Sequence, residues 1–243
     1  MAEGYALKYG VVIVAAGSGR RMGGGLPKQF RLLEGMPVLG RTINLFAGAV
    51  RGADIAVVLP ADKIDFWRDF AARFDIAPHK CVAGGEERFH SVRAGLAALS
   101  PSVDLVAVHD GVRPLATAGM VRRCFDCAAA NGTAVPVVAL ADSCRRVTPD
   151  GGSQPENRSQ LRLVQTPQIF RADILRTAYE RDYAAEFTDD ATLVERAGVR
   201  VTLCEGERTN LKLTEPDDFA VAAAIIRRRN AADESDTGAS DDI

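Results

Sequence analysis

The sequence has few cysteines and no long apolar segment, and each shortage excludes a class of protein. Only 5 of its 243 residues are cysteines, an odd and scattered set that argues against a disulfide framework. No apolar run approaches the ~20 residues that a membrane-spanning helix needs. The first apolar strand begins within about ten residues of Met1, which leaves no room for a secretory signal. We therefore expect a cytoplasmic protein that does not enter a membrane.

The chain also lacks an excess of charge of either sign. Its 30 Lys and Arg residues nearly balance its 32 Asp and Glu residues, giving a formal net charge of −2 at pH 7. This balance provides no general attraction to nucleic acid or to an anionic membrane surface, so we expect neither as a partner. Hydrophobic residues make up 47% of the chain. That share is enough for the core of a single domain, which we place at residues 1–230.

Two of the cysteines form a C-x-x-C pair. Cys124 and Cys127 lie in a segment with helical spacing, 117–131, and the sequence contains no second pair of this kind. Because a structural zinc site needs four ligands, we interpret both residues as buried thiols.

The most informative segment is an apolar run that opens into a loop of small and cationic residues. Val11–Val14 is followed by the sequence AAGSGRRM at 15–22 and then by PKQ at 27–29. A Walker loop is excluded because no Gly-Lys-Ser/Thr follows the glycines. The dinucleotide fingerprint is excluded because Met22 stands where that fingerprint requires glycine.

The composition of this loop instead predicts a triphosphate site of another kind. Alanine and glycine leave room for phosphate oxygens to approach backbone amides. Arg21 and Lys28 add the positive charge that a triphosphate requires.

Apolar, β-branched runs alternate with segments of helical spacing along most of the chain. The predicted strands are Tyr9–Ala15, Ile55–Leu59, Leu105–Val108 and Thr133–Leu140, and the predicted helices are Val38–Val50, Ile64–Phe74, Ser91–Leu99 and Thr117–Asn131. This order predicts an α/β fold with a mostly parallel sheet and helices on both faces. Ligands of such sheets bind at the carboxyl ends of the strands, where the loop at 15–22 and the sequence HDGVRP at 109–114 lie.

Residues 141–168 interrupt the alternation. The turn cluster Thr148–Gly152 separates two polar segments that can form strands, Ser143–Val147 and Gln160–Gln165. We predict that these two segments form a projecting β-hairpin arm. Because a two-stranded ribbon is marginally stable alone, the arm is expected to pack against a second subunit.

The alternation resumes after the arm and ends in an acidic tail. The predicted elements are helices at Ala172–Ala184 and Ala191–Ala197, a strand at Arg200–Cys204, and a closing helix from the N-cap Thr214 to Arg227–Arg229. The aromatic-free residues 231–243 are expected to be disordered.

Polar residues near the strand ends are the candidates for chemistry. Asp110 follows an apolar strand, where a lone carboxylate suits Mg²⁺ bound to substrate phosphates; a turn aspartate is the alternative. Arg113 can bind a phosphate or pair with an acid. Lys212 lies between apolar neighbours and needs either an anionic partner or a route to solvent. His109, the last residue of a buried strand, is interpreted as structural.

A second glycine-rich segment, GGEER at 84–88, precedes Ser91. Its glycines permit close approach of a ligand, and the Ser91 hydroxyl has a helix-start role as its alternative. The combination of cations, a lone carboxylate and small-residue loops at strand ends favours phosphoryl or nucleotidyl transfer. The sequence has no serine nucleophile elbow and no H-E-x-x-H motif.

These motifs resemble, in collinear order from residue 8 to 229, those of the 2-C-methyl-D-erythritol 4-phosphate cytidylyltransferases. The matching blocks are AAGSGRRM with PKQ, GGEER with Ser91-Val92, His109-Asp110 with Arg113-Pro114, QTPQ at 165–168, TDDA at 188–191 and NLK at 210–212. The resemblance implies a Rossmann-like nucleotidyltransferase fold, a CTP-dependent enzyme of non-mevalonate isoprenoid synthesis, and a homodimer whose arm reaches the partner's active site.

The resemblance also implies roles for individual residues. Contacts to CTP fall to Ala15, Ala16, Gly17, Ser18, Gly85, Glu86, Arg88 and Ser91. Asp110 holds Mg²⁺ near the substrate, and Arg21, Lys28 and Lys212 stabilise charge at the α-phosphate. The methylerythritol phosphate is bound by Asp110, Arg113, Ser143, Arg158 and Thr188, with Ser143 and Arg158 on the arm.

Several positions depart from the family pattern, and two of the departures, at Thr209 and Ser143, keep a related enzyme open as a rival. Thr209 stands where an aspartate is common, and Ser143 stands where threonine is common; Gly111-Val112 and Asp190 replace Ala-Ala and glutamate. A ribitol 5-phosphate cytidylyltransferase is the nearest alternative. A nucleotide-binding module without turnover is an alternative of another class.

Overall fold

The computed structural model describes residues 6–17 and 26–238. The strands in these ranges are β1 (Tyr9–Val14), β2 (Leu32–Leu33), β3 (Met36–Pro37), β4 (Asp54–Leu59), β5 (Lys80–Ala83), β6 (Leu105–Asp110), β7 (Thr133–Ala139), β8 (Arg145–Val147), β9 (Ser153–Pro155), β10 (Arg162–Val164), β11 (Gln168–Arg171) and β12 (Leu203–Glu205). The helices are α1 (Val38–Ala49), α2 (Ile64–Ala71), α3 (Arg88–Ala98), α4 (Ala118–Asn131), α5 (Ala172–Ala178), α6 (Asp190–Arg196) and α7 (Pro216–Gly238).

The central sheet has the strand order β10-β7-β11-β6-β1-β4-β5, with β12 also paired to β7. β1 lies in the middle and pairs in parallel with both β4 and β6, and β5 continues the parallel run. The carboxyl ends of these strands therefore meet at one edge, as predicted.

Helices cover both faces of this sheet, which confirms the predicted α/β architecture. Side chains alternate along β1, so Val11 and Ile13 pack with residues of α1, α2 and α4. Val12 lies on the opposite face, in a core built with α3, α5 and α6. A third, smaller core packs Leu213 and the apolar side of α7 against the segment that follows β6.

Two strands of the central sheet escaped prediction. β11 runs antiparallel between β6 and β7, which makes the sheet mixed rather than purely parallel. β5 is a short edge strand that begins with a lysine. Both strands are short and lack a long β-branched run. Their hydrogen bonds to neighbouring strands define them, and the sequence pattern does not show these bonds.

The predicted arm is wrong in its second strand. β8 pairs with β9, directly across a tight turn in which Gly151 has a φ of +82°. The segment at 160–165 instead supplies β10, which extends the central sheet by pairing antiparallel with β7. The tight turn pairs β8 with the segment that follows it directly, whereas β10 pairs with the end of β7.

The closing helix begins close to the predicted N-cap and extends farther than predicted. The Asp218 carboxylate accepts hydrogen bonds from the backbone amides of Thr214 (2.6 Å) and Glu215 (2.8 Å), which fixes the first turn of α7. The helix continues to Gly238, so the predicted end near Arg229 is wrong and residues 231–238 of the predicted disordered tail are helical. Neither glycine nor proline interrupts the chain between Pro216 and Gly238, and its alanines and charged residues favour continuation of the helix.

No helix in the described part of the chain has the length and apolar character needed to cross a membrane.

Candidate active site

The carboxyl ends of β1 and β6 border a cavity of about 240 Å³. Most of the predicted site residues line it, namely Ala15, Ala16, Gly17, Lys28, Gly85, Glu86, Arg88, Ser91, Asp110 and Lys212. They come from five separate parts of the chain, at 15–17, 28, 85–91, 110 and 212. Ser18 and Arg21 of the predicted site lie outside the described residues.

The first residues of the small-residue loop, 15–17, are held by a buried amide that sequence reasoning did not assign to the site. Gln29 is buried, and its Nε2 donates to the carbonyl oxygens of Ala15 (2.9 Å) and Gly17 (3.3 Å). The amide of Ala15 in turn donates to the carbonyl of Val58 at 2.8 Å. Gln29 therefore positions residues 15–17 by binding their carbonyl groups. Its place beside Lys28 in the PKQ motif is the sequence signal that could have assigned it to the site.

The glycine-rich segment before α3 packs directly on that loop. A Cβ atom on Gly84 would lie 2.6 Å from the Cβ of Ala16 and 2.8 Å from Ser91 Oγ. The Ser91 hydroxyl, buried at the start of α3, accepts a hydrogen bond from the Gly85 amide at 3.3 Å. Gly84 is thus required for contact between two loops, whereas the sequence suggested only contact with a ligand.

Asp110 lies at the centre of a cluster of cations. Its Oδ2 contacts Lys212 Nζ at 3.1 Å and Arg113 Nε at 3.2 Å, and its Oδ1 is 3.9 Å from Arg88 Nε. Asp110 is only 8% exposed, whereas the side chain of Lys212 is 45% exposed. Burial alone would raise the pKa of Asp110, but Lys212, Arg88 and Arg113 hold it well below its usual value. The carboxylate is therefore ionised, and three positive groups surround it.

A buried acid, which the sequence distinguishes only as a departure from the family pattern, fixes Arg88. Asp190 is 0% exposed and accepts from Arg88 Nη2 at 2.6 Å and from the Tyr179 hydroxyl at 2.6 Å. Burial would lower the pKa of Arg88, but the carboxylates of Asp190 and Asp110 raise it. The neighbouring Asp189 is the N-cap of α6 and accepts from the Thr192 amide at 2.8 Å.

Arg113 is held by hydrogen bonds to its own chain and is not left free for a substrate. Its Nη1 donates to the carbonyl of Asn210 at 2.9 Å. Asn210 is buried and donates from Nδ2 to the carbonyl of Thr166 at 2.9 Å. This network ties the segment that carries Lys212 to the end of β6.

His109 lies beneath Asp110 and is structural, in agreement with the sequence interpretation. It is completely buried, with Nδ1 3.1 Å from Thr166 Oγ1 and Nε2 3.2 Å from the Arg113 carbonyl. Burial lowers its pKa to about 4.

Acid should therefore destabilise the protein through His109. The unfolded chain protonates this residue near pH 6.5, whereas the folded protein resists protonation until about pH 4. Stability is consequently lost as the pH falls through this window, and the free energy of unfolding should fall by ~3 kcal/mol from this group between pH 7 and pH 4. Urea unfolding at several pH values measures the effect. His109→Gln should show a shallower decline, and equal slopes in the two proteins would contradict the assignment.

Besides Arg113, which does not line the cavity either, three further predicted substrate contacts lie outside it. Ser143 and Arg158 are exposed, and an Arg158 guanidinium nitrogen donates to the carbonyl of Ala141. Thr188 does not line the cavity either, and its amide donates to the carbonyl of Glu186 at 2.9 Å. The structure of one chain therefore does not bring these residues to Asp110.

The departure at Thr209 has a structural role. Its hydroxyl oxygen accepts from Arg229 Nη2 at 3.0 Å, and Arg229 Nη1 also donates to the carbonyl of Leu115 at 2.9 Å. Thr209 thus joins the lysine-bearing segment to α7 and does not line the cavity.

The residues present fit a divalent cation bound together with a phosphate ligand. Mg²⁺ needs only one or two protein carboxylates when substrate phosphates and water complete its ligands. In Asp110, Oδ2 is engaged by Lys212 and Arg113, while Oδ1 has no cation closer than Arg88 Nε at 3.9 Å among the contacts of the described residues. No group of three or more His, Cys, Asp or Glu side chains in residues 6–17 and 26–238 forms a metal site by itself.

The arrangement is suited to binding and polarising a polyphosphate. Lys28, Lys212 and Arg88 present positive charge to a cavity that is also lined by the small residues Ala15, Ala16, Gly17 and Gly85. His109, directly beneath the cavity, is buried, and its pKa of about 4 is too low for a group that must gain a proton near neutral pH. The geometry therefore favours charge stabilisation over general acid–base catalysis by His109.

Comparison with known proteins identifies relatives over nearly the whole chain. The family model described as IspD, 2-C-methyl-D-erythritol 4-phosphate cytidylyltransferase, matches residues 9–228. The 2-C-methyl-D-erythritol 4-phosphate cytidylyltransferase of Bacteroides thetaiotaomicron is 43% identical over 221 residues, which are 90% of this chain and 100% of that protein. The protein of the same name from Bacteroides fragilis is 44% identical over 217 residues, covering 88% and 98% of the two chains.

Solved structures agree with these sequence matches. The 2-C-methyl-D-erythritol 4-phosphate cytidylyltransferase of Thermus thermophilus superposes with a TM-score of 0.71 at 32% identity, covering 91% of this chain and 100% of that one. The 4-diphosphocytidyl-2C-methyl-D-erythritol synthase of Anaerococcus prevotii has a TM-score of 0.78 at 26% identity, with coverage of 91% and 96%.

Proposed function

The chain belongs to the 2-C-methyl-D-erythritol 4-phosphate cytidylyltransferase family, and we propose that the cavity beside Asp110 is where it carries out the family's reaction. The enzyme joins CTP to 2-C-methyl-D-erythritol 4-phosphate and releases pyrophosphate, a step of non-mevalonate isoprenoid synthesis. The observation that carries the placement is the cluster of Arg88, Arg113 and Lys212 around Asp110, next to a loop of small residues.

The proposed chemistry is a direct displacement. A phosphate oxygen of methylerythritol phosphate attacks the α-phosphorus of CTP, the new P–O bond forms, and the bond to pyrophosphate breaks. The attacking oxygen is already anionic, so no side chain needs to remove a proton. Lys28, Lys212 and Arg21 would neutralise charge at the α-phosphate and the leaving group. Mg²⁺ held by Asp110 would supply further positive charge to the triphosphate.

The nucleotide is proposed to lie across the two glycine-containing loops. Backbone groups of Ala15, Ala16, Gly17 and Ser18 would face the triphosphate, and Gly85, Glu86, Arg88 and Ser91 would surround the base and ribose. Support comes from the packing of Gly84 on Ala16, which brings the two loops together.

Pyrophosphate release from CTP tests the function against its rivals. We expect rapid release with 2-C-methyl-D-erythritol 4-phosphate and little with ribitol 5-phosphate. Preference for ribitol 5-phosphate would overturn the substrate assignment, and CTP binding without release would identify a non-catalytic module. The threonine at position 209, where the family commonly has aspartate, no longer favours the ribitol 5-phosphate alternative, because its side chain contacts Arg229.

We also propose a homodimer in which the arm completes the partner's site. Ser143 and Arg158 on the arm are exposed and lie away from the cavity of their own chain. Large apolar side chains are exposed on the arm and on the neighbouring sheet edge, namely Val147, Leu161, Leu163, Val164 and Leu203. An exposed group of apolar side chains is typical of a protein interface.

The unpaired state of the cysteines suits a reducing compartment, so the cytoplasm remains our expectation.

Mixed dimers should reveal whether the arm acts across the interface. Arg158→Ala damages the arm and Lys212→Ala damages the cavity, so each homodimer should be nearly inactive. Co-expression should restore about one quarter of wild-type turnover, because half of the dimers are mixed and each mixed dimer has one intact site. Pyrophosphate release by the co-purified proteins measures the recovery. If Arg158 serves its own chain, mixing will restore nothing.

A further inference from the structure

Three cysteines lie together between α4 and β12, and none of them lines the cavity. Cys124 and Cys127 are three residues apart on α4, which places them on one side of that helix. Cys204, on β12, faces the same helix, and its Sγ is 3.6 Å from the Sγ of Cys124. The displacement reaction uses no thiol, so this cluster has no role in the proposed mechanism.

The surroundings of the three thiols differ. Cys124 is completely buried, while Cys127 and Cys204 are partly exposed. The hydrogen bond shared with Cys124 lowers the pKa of Cys204 against the opposing effect of burial, and Cys127 and Arg123 act in the same direction as Cys124. The same hydrogen bond raises the pKa of Cys124, and burial adds to that increase. Cys204 therefore combines access to solvent with the more readily formed thiolate, which is the reactive form of a cysteine.

We propose that Cys204 and Cys124 form an intramolecular disulfide between β12 and α4 when the protein is exposed to a peroxide. The two sulfur atoms are in van der Waals contact at 3.6 Å, so side-chain rotation and a shift of ~1.5 Å bring them to bonding distance. Cys81 and Cys144, the remaining cysteines, lie on β5 and before β8, away from this cluster.

The chemistry is balanced by one peroxide molecule. The Cys204 thiolate attacks a peroxide oxygen, an S–O bond forms, the O–O bond breaks, and hydroxide leaves as water after taking up a proton. The Cys124 sulfur then attacks the sulfur of the Cys204 sulfenic acid: an S–S bond forms, the S–O bond breaks, and hydroxide leaves with the Cys124 thiol proton as a second water. Two thiols are oxidised and one hydrogen peroxide is reduced. A dithiol reductant reverses the change.

Mass spectrometry of the full chain treated with hydrogen peroxide tests the proposal. We expect the intact mass to fall by that of two hydrogen atoms and proteolysis to yield a crosslinked Cys124–Cys204 peptide that dithiothreitol releases. Cys204→Ser and Cys124→Ala should each abolish this peptide. The matched control Cys81→Ser should leave its yield unchanged. Thermal unfolding of each variant, measured in parallel, separates a lost partner from a lost fold.

Three results would overturn the proposal. The first is addition of oxygen to Cys204 without crosslinking in the wild-type protein. The second is a crosslink from Cys204 to Cys127 that persists in Cys124→Ala. The third is oxidation of Cys81 or Cys144 at the same rate as Cys204.

Discussion

Replacing Lys212 with alanine should lower kcat by ~10²-fold or more while leaving the fold intact. The lysine Nζ lies 3.1 Å from Asp110 and lines the cavity, where it is placed to stabilise charge that grows on the α-phosphate and on pyrophosphate. Its side chain is 45% exposed, so its removal leaves no buried void, and Asp110 keeps Arg113 as a partner. The loss should therefore fall on turnover, with a smaller change in the KM for CTP.

The chain contains a matched control for this substitution. Lys80 Nζ pairs with Asp54 at 2.8 Å on the surface, a lysine–aspartate contact like that of Lys212 but remote from the cavity. Lys80→Ala should keep wild-type turnover. Steady-state pyrophosphate release compares the two variants, and near-normal kcat in Lys212→Ala would show that charge at this position does not assist the reaction.

Asp110→Asn should lower kcat by ~10³-fold, the largest loss expected of any single change in the site. The carboxylate lies in contact with three cations, and it is also the proposed protein ligand of Mg²⁺. An amide neither neutralises Lys212, Arg88 and Arg113 nor offers an anionic ligand. Without substrate, these cations would repel one another and Lys212 would leave its present position.

The dependence of turnover on Mg²⁺ concentration separates the two roles of Asp110, metal binding and orientation of the cations. The Mg²⁺ concentration that gives half-maximal turnover should rise in Asp110→Asn if the carboxylate binds the metal, and it should stay unchanged if the carboxylate acts only by orienting the cations. Asp54→Asn, which alters the surface carboxylate paired with Lys80, is the control and should change neither kcat nor metal dependence. Turnover of Asp110→Asn within about threefold of wild type would contradict both roles, because the loss of a preorganised charge costs far more than that.

The sequence predicts the location of the site because parallel strands deliver their carboxyl ends to one edge. Once Val11–Val14 and Leu105–Val108 are recognised as buried strands, the residues after them, including Asp110, must be neighbours. The same reasoning does not reach Asp190. Its contact with Arg88 joins positions 102 residues apart, and only the tertiary fold, in which α3 and α6 contribute to one core, brings them together.

Side-chain direction accounts for the remaining differences. Gln29 follows Lys28 in a recognised motif, yet its inward orientation toward the carbonyl groups of Ala15 and Gly17 depends on the tertiary fold. The predicted arm is wrong for a related reason. Hydrophobic pattern identifies both 143–147 and 160–165 as strands, but the pattern contains no information about which edge each strand joins.

The wide separation of the site residues along the chain has a consequence for biosynthesis. A ribosome delivers the loop at 15–17 early and Asp110 near the middle of translation, but Asn210 and Lys212 emerge only near the end. A nascent or prematurely terminated chain can therefore pair β1, β4 and β6 and still lack the lysine. Catalytic competence is acquired at the last stage of synthesis, so incomplete chains do not consume CTP.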